Sequence, residues 1–227
     1  MSQSSPRSGL RVIVFGSTGT AGRALVRRCL EDDRIAEVRA VTRRATGLTG
    51  DKLREIRCED FADLTSIAET FTGVDACFFC LGIAWGQAGG EDRYREITVT
   101  YPLAAARMLK ARSPESTFLY LSGGGAGARS WWAWARIKAE AETQLASLGL
   151  RRAITFRPGY IHPDAGDEKS GAMGLKLYPI LRTVVPSAVI TAADLGRAMI
   201  EAVVGDVPDG ILENREIRAL AKREARS

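Results

Sequence analysis

The stretch from Arg11 to Leu25, RVIVFGSTGTAGRAL, is apolar through Val12, Ile13, Val14 and Phe15, breaks into glycines and then resumes with helical spacing. Four consecutive apolar residues without alternation describe a strand buried on both faces, as in a parallel sheet. Gly16, Gly19 and Gly22 follow at a spacing of three. A glycine at the strand's end permits a turn closed to residues with side chains, and one at the helix start leaves the backbone open to a diphosphate. The third lets the helix pack closely on the strand. Amides opening a helix from Ala21 to Leu30 then point at the phosphates, with the helix dipole behind them. The candidate cradle is therefore Gly16, Ser17, Thr18, Gly19, Thr20, Ala21 and Gly22. No Gly-Lys-Ser/Thr run occurs, which argues against a nucleoside triphosphatase.

A chain of 227 residues is long enough to bury one full core. Residues 1–9 are polar and are expected to form a disordered tail, with one domain over residues 10–227. The N-terminus lacks a signal-peptide core, and no stretch approaches the roughly 20 apolar residues that span a bilayer. The expectation is a cytoplasmic protein with no membrane contact. Cys77 and Cys80 form a C-x-x-C inside the apolar run DACFFCLG. Residues three apart point to opposite faces of a strand, so they read as core rather than a redox pair. One histidine and opposed cysteines make no metal cluster. The net charge of +5 is scattered among acids, with no basic stripe interleaved with aromatics, and nucleic acid is not expected as a partner.

Alternating strands and helices follow. Glu37 to Thr42 reads as a second strand ending in Arg43 and Arg44, where dinucleotide folds carry an acid for the ribose 2′-hydroxyl of NAD. Arginine there accommodates the 2′-phosphate of NADP, and Arg23 stands nearby; ordinary surface arginines are the other reading. Leu53 to Arg57 is a third strand. Leu64, Ile67, Ala68 and Phe71 then have helical spacing, with Asp63 as cap. Ala76 to Leu81 is a central strand that stops at Gly82. Between Ile83 and Gly90 lies a glycine-rich loop. Glu91 to Arg112 carries the stripe of an amphipathic helix that Pro102 kinks or restarts. Thr117 to Leu121 ends in Ser122 and three glycines. The next helix holds Trp131, Trp134 and Lys138 on one side, a core or subunit-interface pattern that leaves a homodimer open, and Gly149 closes it. Ala153 to Phe156 runs into Arg157-Pro158-Gly159. Residues 160–190 are less regular and are expected to contribute a substrate pocket, in which Met173, Leu175, Leu177, Tyr178 and Leu181 are lining or core. A helix from Thr191 to Val204 with a Thr-x-x-Asp cap, a short strand near Gly210 to Leu212 and a basic helix complete the chain. The pattern predicts an α/β fold, a doubly wound parallel sheet of the Rossmann type with a small C-terminal substrate-side appendage.

In this order the motifs resemble the short-chain dehydrogenase/reductase superfamily, in its atypical branch related to epimerase/dehydratase-like proteins. The resemblance spans roughly residues 10 to 215 and is nearest to the Tat-interacting-protein-like group of NAD(P)H-binding proteins. It implies that Asp60, beside Phe61, contacts adenine, and that Leu81 and Gly82 flank the adenine ribose. It further implies that Ser122 is the active-site serine, that Lys138 binds the nicotinamide ribose, and that Pro158 and Gly159 lie beside the nicotinamide.

In one place the chain departs from that pattern. The family's Tyr-x-x-x-Lys pair is here Trp134-Ala-Arg-Ile-Lys138. Indole has one N–H donor and no acid of useful pKa, so Trp134 cannot transfer the proton. His162, the single histidine, and Tyr160 follow Gly159 closely, and an unperturbed imidazole titrates near 6.5. His162 therefore joins Ser122 and Lys138 as a catalytic candidate. Two functions stay open: an NADP-dependent oxidoreductase on a small organic substrate, with NAD the lesser choice, and a non-catalytic NADP(H)-binding sensor, regulator or assembly protein.

Overall fold

A computed structural model describes residues 9–165, 183, 186–205 and 207–223. Strand β1 (Leu10–Phe15) shows why its apolar residues do not alternate. Val12 and Val14 face one side of the sheet and Ile13 and Phe15 the other, and all four are fully buried. The helix α1 (Thr20–Glu31) follows the glycine turn. Next come β2 (Ile35–Thr42), β3 (Leu53–Arg57) and β4 (Ala76–Phe79). Helices α2 (Glu91–Arg95) and α3 (Tyr101–Arg112) flank a π-helical turn at Glu96–Thr100. The expected helix from Glu91 to Arg112 is thus continuous, and Pro102 restarts it: without an N–H, proline cannot complete the regular ladder, which re-registers just before it.

Strand β5 (Thr117–Leu121), helix α4 (Ala133–Ser147) and strand β6 (Arg152–Arg157) follow. Two short strands, β7 (Tyr160–His162) and β8 (Val189–Thr191), pair in parallel as a separate sheet. Helix α5 (Ala192–Val204), β9 (Gly210–Glu213) and α6 (Asn214–Ala221) complete the described elements. The main sheet has seven strands in the order β3-β2-β1-β4-β5-β6-β9, and every pairing is parallel. Helices α1, α5 and α6 cover the Val12 face, and α2, α3 and α4 cover the Phe15 face. The doubly wound parallel fold is therefore as expected. Its winding reverses between β1 and β4, which opens a crevice at their carboxyl ends where such folds bind ligands.

Local chemistry sets the boundaries. Thr191 caps α5 by accepting from the Asp194 amide at 3.0 Å, as the Thr-x-x-Asp pattern requires. Gly149 takes φ +68° just past α4, a conformation that favours glycine. Cys77 packs on the α3/α4 face and Cys80 on the α1/α5 face, and all four cysteines are free. Burial pushes the Cys80 thiol up to about 12, so it is not a reactive thiolate.

Three expectations change. The segment after Asp63 is a 3₁₀ helix, Thr65–Phe71, with Ile67 at non-helical angles. Asp63 accepts from the Thr65 amide at 3.0 Å and from its hydroxyl at 2.7 Å, a tight turn that competes with a regular first α turn. Trp131 does not share a helical face with Trp134 and Lys138, because α4 begins at Ala133 and leaves Trp131 97% exposed in the preceding loop. The irregular region after Gly159 contains the β7–β8 pair. Most of the expected substrate pocket, including Met173, Leu175, Leu177, Tyr178 and Leu181, lies outside the described residues, as do residues 1–8 of the expected tail. No helix among the described residues is long and apolar enough to cross a membrane.

Candidate functional site

The three glycines of the turn differ in what confines them. At Gly16, with φ +80°, a Cβ would lie 2.6 Å from the Leu81 nitrogen, so the ends of β1 and β4 can abut only because glycine is there. A Cβ on Gly22 would lie 2.3 Å from the Gly16 carbonyl oxygen, which presses α1 onto the turn. Gly19 is different: its Cβ would meet only that oxygen, at an ordinary 3.4 Å. Protein packing does not demand glycine there, and the open space before α1 is where a diphosphate would come close. No side chain caps α1 and no acid occupies its first turn. Ser17 is fully buried, and its hydroxyl has no hydrogen-bond partner among the described residues. A buried hydroxyl without a partner is costly, and a phosphate oxygen would satisfy it. Thr18 and Gly19 are exposed, Thr20 is half-buried and Ala21 is buried. The residues present fit a dinucleotide diphosphate.

A small hollow of ≈ 40 Å³ beside the turn is lined by Gly16, Thr18, Val41, Thr42, Arg43, Arg44, Phe61 and Leu81. The structure thus brings together the end of β2 and the segments that follow β1, β2 and β4 with the Asp60 loop. Arg43 and Arg44 are exposed and form no ion pair among the described residues. The Arg43 guanidinium lies 5.8 Å from the Phe61 ring centroid, a cation–π contact that directs it toward the hollow. Phe61 itself is buried, edge-on to Phe15 at 5.9 Å and to Tyr101 at 5.7 Å. Asp60 is exposed, and one carboxylate oxygen accepts from the Ala62 amide at 2.8 Å, which shapes the loop. Arg23 is tied to the same region by donating to the Thr46 carbonyl at 2.5 Å. Gly82 borders open space.

The other half of the crevice is formed by the ends of β5 and β6 with α4. Trp134 is half-buried, its indole 3.4 Å from where a Gly125 Cβ would stand. One turn later the Lys138 stem lies along Gly123: a Cβ built there would be 3.5 Å from Lys138 Cε. Burial pushes the Lys138 ammonium down to about 8, while Glu142 one turn further on pulls it back up. Ser122 is buried, and its hydroxyl donates to Glu142 Oε1 at 2.5 Å. Having given its one proton to a carboxylate, Ser122 can meet a ligand only as an acceptor. Pro158 and Gly159 are fixed by the Gly124 amide, which donates to the Pro158 carbonyl at 2.8 Å, and by the Gly159 amide, which donates to Asn214 Oδ1 at 3.0 Å. His162 stands on β7 in the second sheet, its ring 6.3 Å from that of Tyr160. Glu142 is the residue that sequence reasoning missed. Its signal was present: it falls four residues after Lys138, on the buried stripe of the same helix.

A second, larger cavity of ≈ 510 Å³ lies between α4 and strands β5, β6 and β9, with Glu142 and Arg157 in its wall. It does not touch the glycine turn. Among the described residues no cluster of side chains could hold a metal ion.

The pattern of the NAD(P)H-binding family matches residues 16–205. Protein HTATIP2 of Rattus norvegicus is 28% identical over 217 residues, covering 93% of this chain and 89% of the relative. Among solved structures, the Bordetella bronchiseptica enzyme WbmH in complex with NAD+ superposes with a TM-score of 0.68 at 18% identity, covering 90% of this chain and 74% of that one. Vestitone reductase from alfalfa gives 0.68 at 19% identity, covering 90% and 76%. At such identities these likenesses establish the fold alone, a Rossmann-like α/β arrangement.

Proposed function

The chain belongs to the NAD(P)H-binding family, and from that membership we propose that it is an NADP(H)-dependent oxidoreductase acting on a small organic substrate, without the tyrosine its superfamily uses. The observation that carries the cofactor choice is the end of β2. Arg43 and Arg44 stand there beside the glycine turn, exposed and without an ion pair among the described residues, where NAD-preferring folds carry an acid. The glycine turn and Ser17 would hold the diphosphate, Asp60 and Phe61 the adenine, and Leu81 and Gly82 its ribose. Lys138 would hold the nicotinamide ribose, with Pro158 and Gly159 against the ring. When bound, the reduced dinucleotide supplies a hydride. The chain's own part is to orient and shield. Trp134 lends an apolar wall and no proton, so the substrate's proton comes from water, His162 or Tyr160.

The same Trp134 favours a second reading, a binding protein that changes its interactions when NADP(H) occupies it. One experiment tests both. Calorimetry with NADPH and NADH at low and high salt is expected to show tighter NADPH binding that weakens with salt. Equal affinities, or a preference for NADH, refute the assignment of the arginines. Tight NADPH binding without cofactor consumption across a broad panel of hydride acceptors, including ones that need no proton from the protein, selects the sensor.

A further inference from the structure

Glu142 is a carboxylate almost completely withdrawn from water, its side chain 5% exposed. A buried charge is tolerated only when paired and hydrogen-bonded, and the partners found for it are informative. Oε1 accepts from Ser122 Oγ at 2.5 Å and from Arg157 Nε at 2.9 Å, and Oε2 accepts from Arg157 Nη2. Arg157 Nη1 continues to Glu213 Oε1 at 3.0 Å. Three strand ends are thereby tied to one point on α4: β5 through Ser122, β6 through Arg157 and, by way of Arg157, β9 through Glu213. That point lies one helical turn from Lys138, whose stem rests on Gly123, the residue after Ser122.

We propose that Glu142 is a positioning residue of the nicotinamide half: pinned by Ser122 and Arg157, it fixes where Lys138 stands and supplies the counter-charge that Lys138 needs when buried. The inference rests on the reading of Lys138 as the ribose-binding lysine. The other charged and titratable groups around Glu142 are few. Tyr120 on β5 donates its phenol to the Thr98 carbonyl at 3.0 Å, and burial raises it far above its working range. Arg157 on β6 remains a cation, raised by its pairing with Glu142. Glu213 lies beyond Arg157, and on the outer side of α4 Glu140 is taken by Arg95. Among the described residues, Glu142 is the charged side chain one helical turn along α4 from Lys138, and its charge raises Lys138 against the effect of burial.

The test reads Lys138 without any cofactor. In the free chain labelled with ¹³C at lysine Cε, and with Lys138 assigned by its loss in Lys138→Arg, the wild type is expected to titrate near 8. Glu142→Gln removes the charge that raises this midpoint and should move it down by about one unit. Should Glu142→Gln not fold, Glu142→Asp draws the carboxylate back by one methylene and is expected to move the midpoint the same way by less. A midpoint unmoved in the folded variants overturns the proposal, as does a wild-type midpoint at the ordinary lysine value. NADPH affinity of the same proteins is then measured against pH. It should fall as Lys138 loses its proton, at a lower pH in Glu142→Gln than in the wild type. A merely structural Glu142 would weaken binding equally at every pH. A wild-type chain that shows the Lys138 shift but binds no NADPH refutes the cofactor reading and leaves the positioning role standing.

Discussion

The two halves of the crevice are made of different materials. The half proposed for the diphosphate is mostly backbone: a glycine turn, an uncapped helix start and open space before Gly19. The half proposed for the nicotinamide is side chains: Trp134 against Gly125, Lys138 along Gly123, and Ser122 and Arg157 gathered on Glu142. Backbone cradles require glycine at fixed spacing and accept few substitutes. A side-chain constellation can be rebuilt residue by residue on the same frame. On the proposed reading, binding belongs to the first half and chemistry to the second.

The sharpest way to break that separation is at Trp134. General-acid assistance typically contributes about 10²–10⁴-fold to rate, so the natural protein is expected to reduce simple aldehydes and ketones negligibly while binding NADPH. Trp134→Tyr should raise NADPH consumption by about 10²-fold, the lower end, because a space shaped by indole holds a phenol imperfectly. If the unmodified protein turns over ordinary carbonyls at about 1–10³ per second, another donor exists, and His162→Ala and Tyr160→Phe identify it.

On the phosphate side, Gly19→Val should weaken NADPH by about 100-fold or more, a loss of some 2.7 kcal/mol. The thermal midpoint should barely move, since Gly19 φ is unstrained and a Cβ there meets nothing closer than 3.4 Å. Calorimetry showing a folded variant with normal affinity would remove the diphosphate from this turn. Gly22→Val is the contrasting control: its side chain would strike the Gly16 carbonyl, and the fold itself should suffer.

A smaller effect is expected from replacing Arg43 and Arg44 by alanine. A hydrogen bond to a charged group contributes roughly 1.5–3 kcal/mol, so the preference for NADPH over NADH should fall by about 10- to 100-fold and NADH binding should hardly change. If NADH weakens as much as NADPH, the arginines hold something other than the 2′-phosphate. The least effect on either half is expected from Thr191→Ala. Loss of this cap on α5 should cost about 1 kcal/mol of stability, read by chemical denaturation, with cofactor affinity little changed because Thr191 does not line the hollow at the glycine turn.

How much of this was legible beforehand follows from the same division. The unalternating β1, the three glycines and the arginines after β2 lie within one βαβ stretch of the chain, and each obeys a local rule: burial on both faces, a turn at positive φ or close backbone approach, charge at a strand end. Sequence alone therefore determined the doubly wound sheet, the position of the turn and the candidate cofactor ligands. Local rules also misled where competing bonds were short: Asp63 turned an expected α helix into a 3₁₀ segment, and a helix start at Ala133 left Trp131 in the open. Only the tertiary structure could decide that the Ser122 proton goes to Glu142, that Arg157 spans from α4 to β9, and that Gly19 alone of the three glycines would bring a Cβ no closer than an ordinary 3.4 Å contact. The first two of those facts join residues 15 to 56 positions apart along the chain, and no local periodicity encodes such distances. They arise when parallel strands, whose ends lie side by side only after the sheet has formed, bring buried charges together that must find partners or stay in water.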